Sequence, residues 1–146
     1  MQHCVQQKIL RFTAFFTLLL MMVSCGPARR SIAIEEGWDL LGELKVDFVS
    51  DKDVLEVHSS GKFTDLRFKV EKHEIRLNHL TVYFQNGDKL SPALDEILPA
   101  DQYSRNIELA PDGKFINKID FKFHTTGNIF KGRANVLVFG KRYNGY

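Results

Sequence analysis

The sequence predicts an all-β fold: an antiparallel β-sandwich of about eight strands, jelly-roll-like or immunoglobulin-like, preceded by a signal-peptide helix. Three observations predict it. Apolar and polar residues alternate with period two in segment after segment from Trp38 onward. Turn chemistry separates these segments about every 8–15 residues. Beyond an apolar run near the N-terminus, no long stretch repeats with a helical period.

The first segment places Leu40, Gly42, Leu44, Val46 and Phe48 on one face, with Glu43, Lys45 and Asp47 opposite. Asp51-Lys-Asp53 reads as a turn, because short Asp side chains hydrogen-bond their own backbone. Leu55 and Val57 alternate with Glu56 and His58, and Ser59-Ser-Gly61 follows as a turn. Leu66, Phe68 and Val70 alternate with Asp65, Arg67 and Lys69, up to the polar turn Glu71–Glu74. The next run changes phase: Ile75 and Leu77 share one parity, and Leu80, Val82 and Phe84 the other. A one-residue slip would send half the apolar set to solvent, so a β-bulge near Asn78-His79 is expected.

Asn86-Gly87-Asp88 is a strong hairpin signal. From Leu90 to Ala100, Pro92 and Pro99 bracket a segment that reads either as an edge strand or as a helical turn. Tyr103, Arg105, Ile107 and Leu109 alternate again, and Pro111-Asp-Gly113 is a tight turn. Phe115, Asn117, Ile119, Phe121 and Phe123 form the clearest strand face. Residues 125–132 read as a loop. Ala134 to Phe139 is continuously apolar, as in a central strand buried on both faces.

The N-terminus has a different logic. Lys8 and Arg11 precede the apolar run Phe12–Val23, which is too short for a transmembrane helix of about 20 residues and suits a signal peptide. Met22-Val23-Ser24-Cys25-Gly26 closes the run and resembles the bacterial lipobox, with Met22 where Leu is usual. The resemblance implies that the Cys25 sulfur receives a diacylglycerol, that the chain is cut before Cys25 and that the new terminus is acylated. Several acyl chains anchor firmly, since each buried CH₂ contributes about 0.8 kcal/mol. An ordinary cleaved signal with an incidental Cys is the alternative. The expected organisation is a leader over residues 1–24, a lipidated Cys and tether over 25–37, and a β-sandwich domain over 38–146. The expected address is the bacterial envelope, at the outer membrane or cell surface or facing the periplasm.

Charge and cysteine content narrow the function classes. Of 20 Lys and Arg, two lie in the leader, leaving 18 against 18 Asp and Glu. The mature domain is therefore near neutral, which gives no support to nucleic-acid binding. Of the two cysteines, Cys4 leaves with the leader and Cys25 is lipidated, so neither a disulfide nor a Cys-ligated metal is available.

A family resemblance is carried by short motifs spread over residues 38–140. They are Trp38-x-Leu-Leu-Gly42 with Val46, then Asp51 and Asp53, then Val82-Tyr-Phe-Gln-Asn-Gly87. Ser104-Arg-Asn-Ile-Glu-Leu109, Ile119-Asp-Phe-Lys-Phe123, Arg133-Ala-x-Val136 and Gly140 complete the set. Together they resemble a family of short exported bacterial β-domain proteins catalogued only as a domain of unknown function. Ala110-Pro-Asp-Gly113 is a longer turn than the pattern suggests. The resemblance implies a β-sandwich and export, and no particular activity.

The search for chemistry finds few candidates. His58, His73, His79 and His124 lack the paired spacing of a zinc site. Asp51 and Asp53, with Glu56, are a weak calcium candidate without the length of a calcium loop. No Gly-x-Ser-x-Gly elbow and no phosphate loop occur. No cofactor is expected. Arg105 conflicts with its apolar neighbours, so it is read as a salt-bridge former or as a ligand contact beside Tyr103. Trp38 and Tyr83 are the remaining candidate binding residues, as aromatic platforms. The expected function is a non-enzymatic, lipid-anchored interaction module with an envelope protein as partner. A glycan-binding domain is the alternative and a hydrolase a remote third.

Overall fold

Nine strands run through two antiparallel sheets in the computed structural model, which describes residues 32–46, 52–124 and 134–145. The strands are β1 (Trp38–Val46), β2 (Lys52–Glu56), β3 (Phe63–Glu71), β4 (Ile75–Phe84), β5 (Lys89–Leu90), β6 (Glu96–Leu98), β7 (Ile107–Glu108), β8 (Ile116–His124) and β9 (Ala134–Arg142). The leader, Cys25, most of the tether, Phe48, Asp51, Arg133 and the 125–132 loop lie outside the described residues.

One sheet has the order β1-β9-β3-β7, the other β2-β8-β4-β5, with β6 also on β4. The first four strands thus pair with later ones in reverse order: β1 with β9, β2 with β8, β3 with β7, β4 with β5. That is a long hairpin rolled over itself, the jelly-roll arrangement, and it decides between the two sandwich types named above.

Between the sheets lies a core rich in phenylalanine. Phe68 of β3 meets Phe121 of β8 edge to face at 5.5 Å, and Phe121 stacks on Phe123 at 5.5 Å. Truncating a ring of this kind costs about 3–5 kcal/mol, the transfer loss plus the cavity left behind. β9 is central, and every residue from Ala134 to Gly140 is buried. Val136 and Val138 join the main core, whereas Leu137 and Phe139 alternate onto the outer face. Something must therefore cover that outer face.

The bulge expected near Asn78-His79 is present, as a register shift between Leu77 and His79. Two other bulges overturn predicted faces. A shift between Leu40 and Gly42 puts Leu40 opposite Phe139, on the outer face, and leaves Gly42, Leu44 and Val46 facing the core. A shift between Tyr83 and Phe84 pairs Phe84 with Ile116, so Ile116 is buried and Phe115 turns outward. Phe115 and Asn117 therefore do not share the core face of Ile119, Phe121 and Phe123.

Three further expectations are corrected or resolved. Lys52 and Asp53 belong to β2, paired with Lys122 and Phe121, and not to a turn. Of the Tyr103–Leu109 segment, only Ile107 and Glu108 form a strand. Ser104 explains this: Phe68 N–H donates to Ser104 Oγ at 2.9 Å, so a side chain takes the place of a ladder bond. Between Leu90 and Ala100 the chain makes the short strand β6 rather than a helical turn.

Candidate functional site

Two groups of aromatic rings around a cation stand out, one on the outer face of the β1-β9-β3-β7 sheet and one at an end of the sandwich.

The outer-face group is built on Arg67 of β3. Its register partner is Phe139, the buried outer residue of β9. The Arg67 guanidinium lies 4.0 Å from the ring centre of Trp38, 4.3 Å from that of Tyr103 and 5.8 Å from that of Phe139. Tyr103 also meets Phe139 edge to face at 5.7 Å. The Arg67 side chain is 10% exposed, and its Nη1 pairs with Glu35 at 2.7 Å. Nε and Nη2 are buried with no acceptor among the described residues. A planar, weakly hydrated guanidinium suits such stacking better than an ammonium would.

Sequence reasoning singled out Trp38 and Tyr103, and the structure brings them together. It missed the residue that joins them. Arg67 sits at a polar parity between Asp65 and Lys69, where a charged residue arouses no suspicion. The available signal was β9: a strand buried on both faces needs a cover on its outer side.

The other two candidates lie elsewhere. Arg105 is exposed and ion-pairs with Glu96 of β6, so it is not a charge buried on an apolar face. Tyr83 is half-buried on β4, in the opposite sheet, with Lys118 Nζ 4.5 Å from its ring centre. Among the described residues, no three His, Cys, Asp or Glu side chains converge as a metal site.

The end group has open space. Here β4 ends, β3 and β8 begin and β9 ends, and backbone bonds lace the pieces together. Phe63 and Lys114 exchange N–H···O bonds of 3.0 Å, Gln85 N–H donates to Phe115 O, and Tyr143 N–H donates to Lys62 O. Gly113 has φ +64°, and a Cβ there would meet Tyr143 Cβ at 2.6 Å. Only glycine allows that approach without strain. The result is a cleft of about 240 Å³ lined by Lys62, Phe84, Asn86, Asp112, Gly113, Lys114 and Phe115. Exposed Phe115 and Tyr143 flank Lys62, whose Nζ lies 5.6 and 5.9 Å from their ring centres.

Charges around the cleft are unequally paired. Lys114 Nζ donates to Asp88 at 3.1 Å, and Asn86 Nδ2 donates to the same carboxylate at 2.8 Å. These two bonds, Lys114 first, hold the Asp88 carboxyl below its ordinary range. Arg142 grips Asp39 through two bonds of 2.6 and 2.7 Å, and this raises its pKa further. Lys62 pairs with no carboxylate among the described residues, and its recorded contacts are ring faces.

The family model of a domain of unknown function (DUF2541) matches residues 14–140. No curated protein matches the chain. Among solved structures, the chain is similar to one titled "Structural and functional characterization of Pseudomonas aeruginosa AlgX". The sequences are 10% identical and the TM-score is 0.45, over 72% of this chain and 26% of that one. The chain thus spans about a quarter of that structure's length.

Proposed function

The chain belongs to the DUF2541 family, and from that premise we propose that it is a non-enzymatic binding module, held on the bacterial envelope by a lipid on Cys25. The anchor reading rests on the basic flank, the apolar run and the lipobox-like Met22–Gly26. Near-neutral charge in the mature domain fits a displayed recognition domain better than a nucleic-acid binder.

The observation that carries the binding reading is the end cleft. Lys62 offers an ammonium without a carboxylate partner among the described residues, between two exposed rings, beside open space. Surface lysines usually find solvent or an acid, so a lysine framed by rings marks a ready-made contact point. The chain also enters the domain at this end. Arg142 N–H donates to Gly37 O, one residue before β1 begins.

A second reading, glycan binding, is favoured by the cleft's size. About 240 Å³ is below the usual range for drug-sized ligands and suits one sugar ring packed on Phe115. Binding is tested by probing envelope glycans on an array and capturing envelope proteins, each with wild type and Lys62→Ala/Phe115→Ala. Loss of the captured signal in the folded double variant is expected. An unchanged signal contradicts the cleft as the binding site. Sugar signal without protein capture selects the glycan reading, and the converse selects the interaction reading.

A further inference from the structure

We propose that Arg67 is the receptor for a glutamate side chain on an acidic peptide segment of a partner protein, and that Glu35 fills part of this seat in the free domain, through Nη1. The proposal concerns a different face from the end cleft and does not depend on it.

The argument starts from unused donors. A guanidinium carries five N–H groups and no acceptor. Arg67 is nine-tenths buried, yet Nη1 has one acceptor while Nε and Nη2 have none among the described residues. Buried polar groups are nearly always satisfied, so an orphaned donor is costly to the free domain. The Nε–Nη2 edge is also the edge that grips a carboxylate through two parallel bonds. Trp38 and Tyr103 clamp the guanidinium plane, so the fork is oriented before any ligand arrives. Preorganised Arg between aromatic rings is the composition of an interface hot spot.

Glu35 identifies the ligand. It is a peptide carboxylate, followed by Glu36, and its side chain remains 64% exposed while touching Arg67 through Nη1 alone. A single, largely solvated contact is a weak hold, so a better-placed carboxylate can replace it. The chain thus shows an acidic side chain already seated on Nη1 of Arg67, with the Nε–Nη2 edge unspent.

Access requires Tyr103 to move. Tyr103 is 43% exposed, whereas Trp38 is 8% exposed. It lies between β6 and β7, on a segment joined to β3 by isolated bridges at Ala100 and Tyr103. Asp101 N–H donates to Val70 O, Ser104 N–H to Phe68 O, and Phe68 N–H to Ser104 Oγ. Asp101 of that segment has φ +62°, a conformation that costs a non-glycine residue free energy. The movement required is of the exposed Tyr103 side chain, while these backbone bonds hold.

Trp38 is the sole tryptophan, so its fluorescence reports on the seat directly. The test titrates the full chain in a non-ionic detergent with acetylated hexaglutamate, with hexaglutamine and a trigalacturonate as comparison probes. The expected result is a saturable Trp38 change with hexaglutamate that hexaglutamine does not produce. Glu35→Gln, which removes the resident carboxylate, should tighten binding about tenfold, because the competent fraction rises. Arg67→Lys, folded by circular dichroism, should lose at least as much. Hexaglutamate binding that Glu35→Gln leaves unchanged would overturn the proposal, as would binding that survives in Arg67→Lys. A stronger response to trigalacturonate than to hexaglutamate would overturn the choice of a peptide.

Discussion

The Arg67 and Lys62 groups use the same parts and differ in one. Each sets a cation against aromatic faces: Arg67 against Trp38, Tyr103 and Phe139, Lys62 against Phe115 and Tyr143. Arg67 is buried and meets a carboxylate from the chain itself, whereas Lys62 is exposed and meets none among the described residues. The cation's chemistry goes with its setting. A guanidinium gives up water cheaply and stacks flat, so it can be covered, while an ammonium keeps its hydration and stays at a rim. The contrast teaches that rings around a covered cation stabilise the fold and hold the cation in one orientation, whereas rings around an exposed cation add little stability and leave open surface.

Arg67→Ala should break the contrast most sharply. It removes a desolvated cation from two close ring faces and opens a gap over Phe139. A loss of about 2–3 kcal/mol in chemical denaturation is expected. Lys62→Ala should change stability by less than about 0.5 kcal/mol, as ordinary surface substitutions do. A comparable loss for both would erase the distinction.

Gly113→Ala acts on the open group through the backbone. It forces a side chain onto φ +64° and into Tyr143, so a loss of about 1–2 kcal/mol is expected, with the Tyr143 ring signals displaced in NMR spectra. Glu35→Gln should cost less, about 0.5–1 kcal/mol, because its carboxylate is mostly solvated. That small cost sharpens the contrast, since it assigns the stability of the Arg67 group to stacking rather than to the ion pair.

The smallest effect is a pH effect at the cleft. Asp88 is held below its ordinary carboxyl range by Lys114 and Asn86. Its contribution is therefore complete at neutral pH and fades as pH falls through the lowered value. A carboxyl carbon titration should place the Asp88 midpoint below that of an unperturbed Asp, and Lys114→Met should return it toward that value. Because the group is exposed, the thermal midpoint should scarcely move in the same experiment.

Much of the fold was legible because a sandwich writes its pattern into alternation. The hairpin at Asn86-Gly87, the bulge near His79 and the doubly buried β9 all follow from residue parity and turn chemistry. The missed bulges at Leu40–Gly42 and before Lys118 are one-residue events, and local sequence carries little trace of them. They matter here, since the second is what turns Phe115 into the cleft. The Arg67 group was half visible: Trp38 and Tyr103 are conspicuous residue types, but nothing local says that segments so far apart cover one arginine. Arg105 does form a salt bridge, with Glu96, as one of its two readings expects, but its place on an apolar strand face does not hold. Its parity looked apolar because Tyr103, Ile107 and Leu109 suggested one continuous strand, and Ser104 interrupts that strand.

Both clusters gain their proposed meaning from display on a membrane, so the anchor is the claim to test first. Cells producing the wild-type chain or Cys25→Ala are fed an alkyne-tagged fatty acid, and the protein is recovered and probed for the tag. The account predicts a labelled wild type recovered with membranes and an unlabelled Cys25→Ala. Equal labelling of both, or none in the wild type, would contradict it.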